Sequence, residues 1–208
     1  MIGQLIKKDF IHLTCSLRSV LISWILICLC LAMVSVGTSV TMPAFGAYML
    51  FYSMKAYEER SKGYLLTASL PVKRKEVCKV QYLEALIFLI ISMPCSALGL
   101  LLQNSIKGTK ILPTAMMLLV MFGIGLIYVS IIIPCVAYFG THKSRYAVII
   151  FYGFVVGVAS VDIVQNALRR VAAIGRVGNV GVFIGIACLS FLLSYEISLW
   201  IFKNKDFK

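Results

Sequence analysis

Between Val20 and Tyr57 the chain carries a single charge, Lys55. A bilayer core of about 30 Å is crossed by about 20 apolar helical residues, so this run is too long for one crossing. Near its middle, Ser35-Val36-Gly37-Thr38-Ser39 and then Pro43 supply turn chemistry, which predicts a tight helical hairpin of two rather short spans. Four more apolar runs follow: about Leu83 to Leu102, Leu112 to Phe139, Tyr146 to Val161 and Val180 to Phe202. Pro113 and Pro134 bracket the longest of them, and Pro134 suggests a kink.

Composition excludes the alternatives to a membrane protein. Hydrophobic residues make up 61% of the 208 and charged residues only 13%, against about half and a quarter in soluble domains. With a mean hydropathy of +0.95, neither a soluble enzyme nor a disordered chain fits. The expected fold class is an all-α polytopic membrane protein of six transmembrane helices, forming one domain over residues 1–208. The first apolar run is long and no small-residue cleavage pattern follows it, so no cleavable signal peptide is expected.

The charged minority is lopsided, with 20 Lys and Arg against 8 Asp and Glu, a net +12. In a soluble chain that balance would suggest nucleic acid. Here no basic stretch is long or interleaved with stacking aromatics, so the cations read as topology determinants and lipid contacts. Fifteen lie on one side of the expected spans: Lys7, Lys8, Arg18, Lys55, Arg60, Lys62, Lys73, Arg74, Lys75, Lys79, Lys143, Arg145, Lys203, Lys205 and Lys208. The other side has five: Lys107, Lys110, Arg169, Arg170 and Arg176. Both termini are therefore expected in the cytoplasm, with the chain in the plasma membrane.

Two segments outside the spans have amphipathic character. Residues 1–18 place Ile2, Leu5, Ile6, Phe10 and Leu13 at helical spacing, as an interfacial helix does, although Asp9 interrupts the apolar face. Residues 162–178 alternate apolar and basic faces and predict a helix on the outer surface. The seven cysteines include no CxxC pair, so neither a zinc site nor a disulfide framework is indicated, and most sit in apolar runs as small fillers.

The longest polar interruption runs from Glu58 to Glu76, within a region spanning residues 56–82. Leu65, Leu66 and Leu70 form an apolar stripe, and Pro71 suits the first turn of the helix that enters the third span. Its stretch Tyr64-Leu65-Leu66-Thr67-Ala68-Ser69-Leu70-Pro71-Val72-Lys73-Arg74-Lys75-Glu76-Val77, with Lys79 and Tyr82-Leu83 after it, resembles the "LLxSLPvsRkEiv…KYL" segment of type-2 ABC transporter permeases. The opening Leu5-Ile6-Lys7-Lys8-Asp9-Phe10 and the close Ser198-Leu199-Trp200-Ile201-Phe202-Lys203-Asn204-Lys205-Asp206-Phe207 are similar to that family's two ends. Lys73 departs from it, standing where a helix-capping Ser or Thr is usual. Within the class, the compact form looks like the bacterial permeases of phenol-soluble modulin exporters and of related antimicrobial-peptide export or immunity systems.

The resemblance implies that residues 58–76 form a coupling helix docked on a separate ATPase subunit. Glu58, Glu59, Arg60, Lys62, Arg74, Lys75 and Glu76 would make its polar contacts, with His142, Lys143 and Arg145 of the second cytoplasmic loop as the second contact. It also implies a second permease copy or a sister permease, with a peptide substrate moving between the two. The chain has no GxxxxGK[ST] phosphate loop, so ATP and Mg would be held by the partner, and no cofactor or metal is expected on this chain. Intramembrane acids are costly and often functional. Glu196 lies inside the last span, Glu84 begins the third at the expected interface, and Asp162 ends the fifth. Each is a candidate polar lining for a cationic substrate, against a simpler structural role.

Two rival functions fit less well. Glu58-Glu59 resembles the EExxxR of intramembrane CAAX-type proteases, but Gly63 stands where the arginine belongs, and His12 and His142 both lie outside the apolar spans. A substrate-binding S component of a vitamin importer shares the size and span count, yet needs no long mixed-charge element such as residues 58–76.

Overall fold

The computed structural model describes residues 18–32, 36–61, 74–107, 115–160 and 177–204, together with Gly3, Lys7 and Ile11. The described residues form five helices: α1 (Arg18–Ala32), α2 (Val36–Arg60), α3 (Arg74–Lys107), α4 (Ala115–Ser160) and α5 (Val177–Asn204). α2 packs against both α3 and α4, α5 packs on α4, and α1 covers α2 and α3. Gly3, Lys7 and Ile11 are helical and exposed; the rest of the expected interfacial helix, including Asp9, lies outside the described residues. So do residues 62–73 and 161–176, which hold Lys62, Asp162, the Leu65–Leu70 stripe and most of the expected outer helix.

Among the described residues, three stretches are long and apolar enough to cross a membrane: Lys75–Ile106, Ala115–Thr141 and Val180–Lys203; Arg18–Cys30 is apolar but shorter. The exterior carries Leu26, Ile90, Ile106, Leu189, Leu193 and Trp200, while Ser39, Glu84, Ser92, Ser96, Gln103, Ser130, Ser194 and Ser198 are buried. An apolar outside around a polar-studded inside is the arrangement that lipid, rather than water, selects.

Three expectations need correction. The stretch 36–43 is not the hairpin turn, because α2 begins at Val36 and continues through Pro43. In an apolar medium each backbone group needs an internal partner, which favours helix over an open turn. Hydroxyls supplement the hydrogen bonding around this proline: Thr41 Oγ1 donates to Gly37 O at 3.3 Å and Thr38 O at 3.1 Å, and Ser92 Oγ donates to Pro43 O at 2.8 Å.

Secondly, Thr141–Arg145 is helical rather than a loop, so the expected fourth and fifth spans are two helices that meet at a kink within α4. Its backbone departs from helical dihedrals at Gly140 (φ 77°, ψ 171°) and not at Pro134. Thirdly, the last helix starts at Val177, ahead of its apolar run, so Val177–Gly178 belong to it and not to the expected outer helix; α3, from Arg74, runs into the third span as expected.

Gly140 occupies a region of dihedral space that is essentially closed to other residues. Nothing lies within 4 Å of a Cβ added there, so Gly140→Ala is expected to cost about 1–3 kcal/mol through backbone strain alone. The thermal midpoint of the detergent-solubilised chain measures it. Gly140→Asn is expected to give no relief, since asparagine tolerates the left-handed helical region and ψ 171° lies far outside it.

Helix contacts depend on close approach and on hydroxyls. At Gly46 an added Cβ would stand 2.9 Å from Ser92 Cβ and 3.1 Å from Trp24 Nε1, and the Trp24 indole donates to Gly46 O at 3.1 Å. This glycine lets α1, α2 and α3 meet. Tyr82 of α3 lies 2.7 Å from Ser194 Oγ and 2.8 Å from Ser198 Oγ of α5, while Ser194 Oγ donates to Ser130 O of α4 at 2.5 Å. Each hydroxyl has one proton. Ser194 spends its own on Ser130, so Tyr82 must donate to Ser194 and Ser198 to Tyr82. The result is a directed chain of hydrogen bonds across three helices.

Candidate functional site

The charged residues gather where α2 ends, α3 begins and α4 breaks. α2 closes on Lys55-Ala56-Tyr57-Glu58-Glu59-Arg60, and Ser61 caps it. The Ser61 N–H donates to Tyr57 O at 2.9 Å and its hydroxyl to Glu58 O at 3.3 Å, satisfying carbonyls that the helix end leaves open.

Lys55 is the first organising residue. Its side chain is only 11% exposed, with the ammonium 3.0 Å from Glu58 Oε2 one turn on and 3.9 Å from Glu84 Oε2 of α3. The Phe51 ring lies 6.0 Å from the ammonium, within range of a cation–π attraction. Glu84 is wholly buried. Burying a carboxylate in an apolar bundle is costly unless a cation accompanies it, and Lys55 supplies that cation across the α2–α3 contact. Lys55 is therefore part of a helix–helix contact as well as a topology cation. Its isolation in a 38-residue stretch of the sequence was the signal for this.

Glu59 is the second. One carboxylate oxygen accepts the Thr141 N–H at 3.2 Å, and the other accepts the Thr141 hydroxyl. Thr141 is the first residue after the break at Gly140, and Ser144 Oγ donates back to Thr141 O at 3.0 Å. The end of α2 is thus fastened to the second half of α4, across 82 residues of sequence. Spacing arguments could not have found a contact at that separation.

The remaining expected residues divide by exposure. Arg60, Lys75 and Lys143 are exposed, Glu76 is half-buried, and Arg74, His142 and Arg145 are helical. Glu196 is exposed on α5 among Leu192, Leu193, Ile197 and Trp200, whereas Glu84 is interior. The two acids therefore do not converge on one lining. What the arrangement presents is a set of exposed cations, Arg60, Lys75 and Lys143, beside helix ends tied together by carboxylates.

The family model described as "ABC-2 family transporter protein" matches residues 4–203 of this chain. No curated protein matches it, and no solved structure does.

Proposed function

This chain belongs to the ABC-2 transporter family and so is a permease subunit of an ABC transporter, and on that premise we propose that it exports amphipathic or cationic peptides across a bacterial plasma membrane. Family membership implies a partner ATPase subunit in general. In this reading the partner docks on the end of the bundle that carries Arg60, Arg74, Lys75 and Lys143, that end faces the cytoplasm, and ATP and Mg stay on the partner. The chain crosses the membrane six times, counting the two halves of α4 separately, and works with a second permease.

The observation that supports this most is the bond between Glu59 and Thr141. It brings the two polar segments that the sequence separates into one patch, so that a single partner surface can reach both. Thrust delivered there would enter α2, α3 and α4 together, since Lys55 also joins α2 to α3.

Copurification with a separate ABC ATPase subunit is the expected result, with hydrolysis by the pair rising several-fold on addition of a cationic amphipathic peptide. A chain that recruits no ATPase and instead binds a vitamin tightly by itself would overturn the proposal.

A further inference from the structure

The sequence resemblance makes Glu59 one of several residues contacting the ATPase, but its geometry gives it another task. Gly140 takes α4 out of helical dihedrals at φ 77°, so a new helix start follows immediately, with N–H groups that need acceptors. A carboxylate is the favoured acceptor there, because the helix N-terminus carries partial positive charge. The residue supplying it does not come from the local sequence. Glu59 reaches over from α2 and engages Thr141 with both oxygens, one on the N–H and one on the hydroxyl. Thr141 itself is buried while Glu59 is exposed, so the bond ties the buried start of the second half of α4 to the surface-lying end of α2.

We propose that Glu59 is a positioning residue that locks the second half of α4 to the end of α2, so that the two parts of the docking patch move as one body when the ATPase pushes. The inference rests on the permease reading and adds to it. Without the lock, Gly140 is a free joint: α2 could be displaced while the helix beyond Thr141 stayed behind. With it, displacement of either segment carries the other.

Hydrogen exchange on the full chain in lipid nanodiscs tests the lock without any partner. Glu59→Ala is expected to speed exchange of amides 141–145 about tenfold. Glu59→Gln keeps one acceptor for the Thr141 N–H and should restore most of the protection. Thr141→Val keeps the shape and removes only the hydroxyl, giving a smaller rise; the Glu59→Ala/Thr141→Val pair should then be no worse than Glu59→Ala alone. Unchanged exchange in Glu59→Ala overturns the lock.

Adding the partner ATPase tests its purpose. With the ATPase at saturating concentration, Glu59→Ala is expected to lower peptide-stimulated hydrolysis at least fivefold. Lost affinity with unchanged exchange would make Glu59 a docking contact and overturn the proposal. Faster exchange with undiminished stimulation would reduce the bond to a local cap, and would overturn it too. If the unsubstituted chain stimulates no ATPase, it is the permease reading that fails, and the exchange result still decides whether the lock exists.

Discussion

Lys55→Met is expected to lower stability by about 3–5 kcal/mol, the cost of taking the counter-charge from a buried carboxylate. Methionine follows the lysine stem closely, so the apolar packing on Phe51 survives and the loss isolates the charge. Glu84 bears the consequence, because its side chain is wholly buried and the lost ammonium stood 3.9 Å away. Glu58 should feel it little: it is 22% exposed and shares a helix with Lys55, a type of pair worth only a few tenths of a kcal/mol. Pairing Lys55→Met with Glu84→Gln should therefore recover most of the stability, whereas pairing it with Glu58→Gln should recover almost none. Unfolding of the purified chain in mixed micelles measures both. Equal recovery by the two pairings would show that Glu84 does not depend on Lys55.

That pair also shows what the sequence could and could not convey. A lone cation in an apolar run announces that a counter-charge must be near, but not which of eight acids provides it. Helical periodicity orders residues around one helix and says nothing of the rotation of the next. The contacts Lys55–Glu84, Glu59–Thr141 and Tyr82–Ser194 all depend on that rotation. Membrane character was legible because lipid demands long apolar runs whatever their packing.

One error came from applying turn rules learned in water. Gly37, Ser39 and Pro43 favour a turn where water can satisfy the exposed backbone, and in the bundle they are helical. The polar Thr141-His142-Lys143-Ser144-Arg145 looked like a loop for another reason, because a polar stretch between two apolar runs reads as a connection. Its actual signal was the glycine before it, followed by a residue whose N–H and hydroxyl a distant acid could hold. The docking residues were named from a resemblance centred on residues 64–77, of which the described part is the start of α3.

That start of α3 carries the charge reversal expected to have the largest functional effect. Arg74→Glu with Lys75→Glu should weaken binding of the ATPase about 100-fold, equivalent to about 3 kcal/mol, because placing like charges across an interface costs several kcal/mol. Lys75 is exposed in the first turn of α3, so the substitution removes no buried contact of Lys75. Orientation should persist, since thirteen of the fifteen cations on that side remain against five on the other. The variant is therefore expected to reach the membrane at normal level, to copurify poorly with its ATPase, and to lose peptide-stimulated hydrolysis and export together. Raising salt should weaken the unsubstituted complex in the same direction, by screening the attraction that the two cations provide. Normal binding and export by the doubly reversed chain would mean that the partner does not read these charges. Labelling of residues 58–61 or 74–76 from outside intact cells would go further, because a motor confined to the cytoplasm could not reach them from there.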